Sequence, residues 1–128
     1  DNVPLSDPSA LFDAQEYQQT GCLFWQDLSV DPHWLDPGFF HTYGLEMVRG
    51  ERELEAGQMV LDKKRCWTAL QLVVYMNRNY MHFYTRMYGD KDTWRVAFKL
   101  LGARLGLIPH AADVLGSYDP SGRFCGNA

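Results

Sequence analysis

Trp94, Ala97, Phe98, Leu101 and Leu105 fall at i, i+3, i+4, i+7 and i+11, a stripe that only a helix gathers onto one face. This is the clearest periodicity in the chain. The helix follows Gly89-Asp90-Lys91-Asp92, and its opposite face carries Arg95, Lys99 and Arg104. Such a stripe must be buried against a second layer, so a fold has to be sought in which this helix covers apolar partners.

Those partners are read upstream. Gly21-Cys22-Leu23-Phe24-Trp25 is a compact apolar run after a glycine and reads as a buried strand. Gln58-Met59-Val60-Leu61, bounded by Gly57 and Asp62, reads as a short strand leading into a helix over residues 64–77. In that helix Trp67, Leu70 and Val74 form a stripe, widened by Cys66 and Val73, which makes Cys66 a buried thiol. The first 20 residues read as a loop and a short helical turn at Ser6-Asp7-Pro8. The aromatic-rich stretch from Trp34 to Tyr43 is full of turn signals, and residues 49–55 read as a solvated charged loop. Everything after Gly106 is read as loop. The fold class is α/β or α+β, with few strands for its length.

With 128 residues the chain is sized as one domain or a large piece of one. A net charge of -4 argues against a general nucleic-acid binder, which needs a basic face to displace counterions. The longest apolar run, Leu72-Val73-Val74-Tyr75-Met76, is core-sized rather than membrane-spanning, and no signal peptide is visible. Cys22, Cys66 and Cys125 lack the Cys-x-x-Cys spacing of a structural zinc site.

Three acidic pairs mark element boundaries: Asp1 with Asp7, Glu55 with Asp62, and Asp90 with Asp92. Carboxylates at strand ends and helix starts are where α/β folds place ligand groups. Each also has a local reading: Asp7, Asp62 and Asp92 as helix caps, Glu55 as a solvated member of its charge run. His33, His41, His82 and His110 show no ligand spacing, and no nucleophile elbow, Walker loop or dinucleotide fingerprint is present.

Five blocks say more. Asp1-Asn2-Val3-Pro4-Leu5-Ser6-Asp7-Pro8 resembles the segment that follows the Asp-x-Asp motif in fungal-type α-mannosyltransferases, the enzymes that build mannan side chains. Thr20-Gly21-Cys22-Leu23-Phe24-Trp25 resembles a strand of that family. So does Glu55-Ala56-Gly57-Gln58-Met59-Val60-Leu61-Asp62-Lys63, leading into a helix like Trp67-Thr68-Ala69-Leu70-Gln71-Leu72. Tyr88-Gly89-Asp90-Lys91-Asp92-Thr93-Trp94 and Arg123-Phe124-Cys125-Gly126 complete the set, all in family order and covering most of the chain.

The resemblance implies an α/β architecture: the C-terminal part of a GT-A-type nucleotide-diphospho-sugar transferase fold, its N-terminal nucleotide-binding half missing. Residues 1–128 would then be a partial glycosyltransferase domain, running from the second aspartate of Asp-x-Asp and inactive by itself. It implies retaining transfer of α-mannose from GDP-mannose to a glycan acceptor, in protein glycosylation or cell-wall mannan synthesis, with Mn²⁺ as cofactor. It also implies a Golgi type II membrane protein whose anchor lies outside this chain. By the same resemblance Asp1 is the metal ligand, Gly57 and Gln58 line the donor sugar, and Asp90, Asp92 and Glu55 are the catalytic carboxylates. Two alternatives stay open: a UDP-sugar-dependent, glycogenin-like retaining transferase, and a non-catalytic carbohydrate-binding derivative.

Overall fold

The computed structural model describes residues 6–30, 36–46, 48, 50–110 and 115–127. A 3₁₀ turn over Pro8–Asp13 and helix α1 (Gln15–Thr20) lead into strand β1 (Cys22–Val30). Asp7 caps the 3₁₀ turn by accepting from Ser9 N at 2.9 Å, so its local reading holds. Gly21 ends α1 at φ 78°, a left-handed conformation that favours glycine. Helix α2 (Pro37–Thr42) lies within the stretch expected to be turns, with Asp36 accepting from Gly38 N as its cap.

Strand β2 (Arg52–Leu61) is ten residues long and pairs antiparallel with β1. It therefore takes in most of the segment read as a solvated loop. The pairing is irregular: Phe24 faces Met59 and Gln26 faces Leu54, leaving residues 55–58 of β2 opposite Trp25 alone. That surplus is a pronounced bulge, a device that re-aims side chains at the rim of a sheet. On the other side of β1, Phe24 N donates to Gly106 O at 2.8 Å and Ile108 N to Phe24 O at 2.9 Å.

Helices α3 (Trp67–Arg78), α4 (Tyr80–Phe83) and α5 (Asp90–Leu100) follow. The first starts at Trp67 rather than residue 64, because Asp62 Oδ1 accepts from Lys64 N and Arg65 N and holds the intervening residues in turns. Trp67 itself is 56% exposed, against its place in the expected stripe. The closing hairpin, β3 (Leu115–Tyr118) with β4 (Phe124–Asn127), replaces expected loop. Asp119 organises its turn by accepting from Ser121 N and Arg123 N, each at 2.9 Å.

Two clusters form the core. One joins Phe39 and Phe40 of α2 to Val73, Met76, Phe83, Met87, Val96 and Ala97. The other sits between the sheet and helices α3 and α5, with Cys22, Phe24, Leu54, Cys66, Ala69 and Phe98. Phe24 is fully buried, its ring 5.6 Å from that of Trp94 and 6.0 Å from that of Phe98. Burying one such side chain contributes about 2–3 kcal/mol. The apolar stripe that announced α5 is thus met by the sheet on one side and α3 on the other. Leu101 is exposed at the helix end, and Leu105 reaches the second cluster from beyond the helix.

Candidate functional site

Acids recur at every second position into β2, Glu51 just before it and Glu53 and Glu55 within it, the period of one strand face. Helix α5 carries bases at every fourth position, Lys91, Arg95 and Lys99, so they share one face of the helix. The structure sets the two stripes against each other. Lys99 Nζ lies 2.8 Å from Glu51 Oε2, and Arg95 Nε lies 3.8 Å from Glu51 Oε1. Lys91 Nζ lies 2.6 Å from Glu53 Oε2 and 2.7 Å from Asp27 Oδ2 of β1. One ammonium therefore ties the first turn of α5 to both strands.

This seam is dry. Glu53 is 1% exposed and Arg95 5%, although both were read as parts of polar, outward-facing segments. Neither carboxylate oxygen of Glu53 accepts a hydrogen bond of good geometry, so its charge is balanced by the close approach of Lys91. Burial pulls the Lys91 ammonium down, but the Asp27 hydrogen bond and the close carboxylates of Asp27 and Glu53 outweigh it and hold its pKa well above 10.5. Burial lowers the pKa of Arg95 and is opposed by Glu51, Asp92 and Glu53.

A polar chain holds the same helix turn from the α3 side. Tyr84 Oη donates to Asn77 Oδ1 at 2.5 Å, and Asn77 Nδ2 donates to Thr93 Oγ1 at 3.0 Å. Thr93 Oγ1 in turn donates to Asp90 O at 2.5 Å. Burial raises the Tyr84 phenol pKa, and the charges of Asp90 and Asp92 add to the rise.

The expected site residues fall into three groups. Asp92 is buried, and its Oδ2 accepts from Tyr88 N at 2.9 Å and Gly89 N at 3.3 Å, so the carboxylate caps α5. Burial pushes its pKa up against those two hydrogen bonds. Asp90, the first residue of the helix, is exposed. Glu55, Gly57 and Gln58 lie together in the β2 bulge, where Glu55 Oε1 accepts from Gly57 N at 2.7 Å. Glu55 is the next acid of the stripe beyond Glu53, and Asp90 is the residue before Lys91. The Lys91–Glu53 pair thus joins α5 to β2 one residue from Asp90 and two from Glu55.

Asp1 lies outside the described residues. Among the described residues no three or more His, Cys, Asp or Glu side chains stand together as a metal site requires, and Asp27 and Glu53 are engaged by Lys91. Among the described residues, too, no helix is long and apolar enough to cross a membrane.

Sequence reasoning missed Asp27, Glu53, Lys91, Asn77 and Thr93. The alternating acids of β2 and the four-residue spacing of bases on α5 were the available signal for Glu53 and Lys91. Nothing in the sequence pointed from Asn77 to Thr93.

Comparison with known proteins adds the family. The family model described as "Mannosyltransferase putative" matches residues 1–47 and 42–128. Alpha-1,2-mannosyltransferase MNN22 of Candida albicans is 25% identical over an alignment covering 100% of this chain and 29% of that protein. Alpha-1,2-mannosyltransferase MNN26 of the same organism is 29% identical, covering 66% of this chain and 12% of that protein. The chain spans less than a third of the length of these curated relatives. With both ends of the chain matched by one family model, the protein belongs to this family of mannosyltransferases.

Proposed function

We propose that the protein transfers α-mannose from GDP-mannose to a hydroxyl of a glycan acceptor with retention of configuration, in protein glycosylation or mannan synthesis. The supporting observation is the Lys91 ion pair that fastens the start of α5 to both strands: Lys91, the neighbour of the exposed Asp90, reaches Asp27 and Glu53, two residues before Glu55 of the bulge. In this reaction the bond from the anomeric carbon to the diphosphate breaks and one to the acceptor oxygen forms, while the acceptor hydroxyl gives up its proton. Positive charge grows on the anomeric carbon, and a fixed carboxylate beside it stabilises that charge.

In this reading Asp90 faces the reacting sugar and Glu55 orients the acceptor hydroxyl. Gly57 offers room for the donor sugar, and Gln58 stands beside it. Asp92 positions Asp90 by capping the turn on which it sits. The same proposal includes a GT-A-type fold, manganese dependence through Asp1, and Golgi residence with a membrane anchor outside these residues. The names of the Candida relatives support mannosyl transfer.

The test is a panel of GDP- and UDP-sugars offered to the intact protein with Mn²⁺ or with EDTA. Turnover of GDP-mannose, lost in EDTA, is the expected result. Turnover of a UDP-sugar in place of GDP-mannose overturns the donor assignment.

A further inference from the structure

We propose that Cys22 and Cys66 form a disulfide that ties the start of β1 to the start of α3. Both are buried in the same core cluster. Cys66 Sγ donates to Gly21 O at 3.4 Å, and that carbonyl belongs to the peptide unit supplying the nitrogen of Cys22. Backbone contacts independent of sulfur hold the segments together: Asp62 N donates to Gly21 O at 2.7 Å, and Cys66 N donates to Asp62 O at 2.9 Å. A disulfide needs its two α-carbons within about 7 Å and its side chains facing each other. Here the Cys66 sulfur lies against the backbone at Cys22, and the Cys22 sulfur, accepting from Gly106 N at 3.3 Å, is buried in the same cluster. Burial, and next the neighbouring Cys22 thiol, push the Cys66 thiol up to about 11.

The pair also has a way in. An open groove of about 430 Å³ runs between Thr20, Arg65, Phe98 and Arg104, and Cys66 forms part of its wall. The third cysteine, Cys125, is exposed on β4, its thiol directed at Arg123 O.

The oxidant is a disulfide donor, either oxidised glutathione or the disulfide of an oxidoreductase. One cysteine thiolate attacks a donor sulfur, and the other donor sulfur leaves as a thiolate. The second cysteine thiolate then displaces the donor, forming the Cys22–Cys66 bond. Two protein thiols lose two protons and two electrons, and the donor disulfide becomes two thiols. Because the Cys66 thiolate is a minor species near neutral pH, exchange in the folded protein is slow and accelerates as pH rises. The bond closes the loop from residue 22 to residue 66, restricting the unfolded chain across β1, α2 and β2.

The experiment is peptide mapping of the intact protein after equilibration in a buffer of oxidised and reduced glutathione. The sample is quenched in acid, unfolded, alkylated and digested without reduction. The expected result is a joined pair of peptides containing Cys22 and Cys66, with Cys125 alkylated or carrying glutathione. The thermal midpoint of the oxidised form should exceed that of the reduced form by about 5 °C or more. Cys66→Ser should abolish that difference. Recovery of Cys22 and Cys66 as separately alkylated thiols, or joining of either to Cys125, overturns the proposal. The mapping uses the unaltered sequence, so it does not depend on any variant folding.

Discussion

Replacing Lys91 by methionine removes a cation that contacts both Glu53 and Asp27 while keeping much of the side-chain volume. Glu53 is left as a carboxylate 1% exposed, with no hydrogen bond accepted by either oxygen. Breaking a buried ion pair by deleting one partner costs about 3–5 kcal/mol. The Lys91 and Asp27 side chains are each 23% exposed, so water reaches that edge of the cluster and the lower figure, about 3 kcal/mol, applies. Urea unfolding of the intact protein near pH 7 is the assay. Glu53→Gln added to Lys91→Met should restore more than half of the loss, with a coupling energy of about 2 kcal/mol. The pH dependence of the unaltered pair follows from the raised Lys91 pKa. Its contribution is complete below 10.5 and is lost as pH climbs through the higher folded value. A Lys91→Met loss under about 1 kcal/mol, or one that the second change does not relieve, would refute the reasoning.

Asp92→Asn should leave stability near neutral pH unchanged or slightly higher, since it keeps an acceptor for Tyr88 and Gly89 and removes a buried charge. Asp92→Ala should lose about 1–2 kcal/mol in the same urea titration. Because burial raises the Asp92 pKa, the native carboxyl's contribution is complete below 3.8 and falls as pH rises through the folded value; Asp92→Asn should remove that slope. Phe24→Ala should cost about 3–5 kcal/mol by thermal or urea unfolding, the range for a buried aromatic whose cavity cannot collapse. Gly106→Ala should lower the thermal midpoint sharply, because its methyl would stand 2.1 Å from Cys22 O and 2.5 Å from Thr20 Oγ1.

The apolar face of α5, the strand at Cys22, the burial of Cys66 and the cap at Asp7 were legible because each rests on local periodicity or on a cap within two residues. The first half of β2 was not. Its acids look solvated until the bases of α5 are set against them, and that pairing joins residues some forty positions apart in the sequence. The end of α5 was misplaced for a related reason. Leu105 continues the arithmetic of the stripe, but Gly102 turns the backbone left-handed at φ 59°, and Leu105 packs on the core from outside the helix. At the site, sequence alone grouped Asp90 with Asp92. The structure separates them into an exposed carboxylate and a buried cap, a difference set by which one the helix turns inward.

That separation also frames the decisive measurement: steady-state mannosyl transfer from GDP-mannose by the intact protein, comparing Asp90→Asn with Asp92→Asn. The account predicts that Asp90→Asn folds normally but loses roughly 100-fold or more in kcat, the scale of removing one fixed charge from the reacting centre. Full turnover by Asp90→Asn would contradict it.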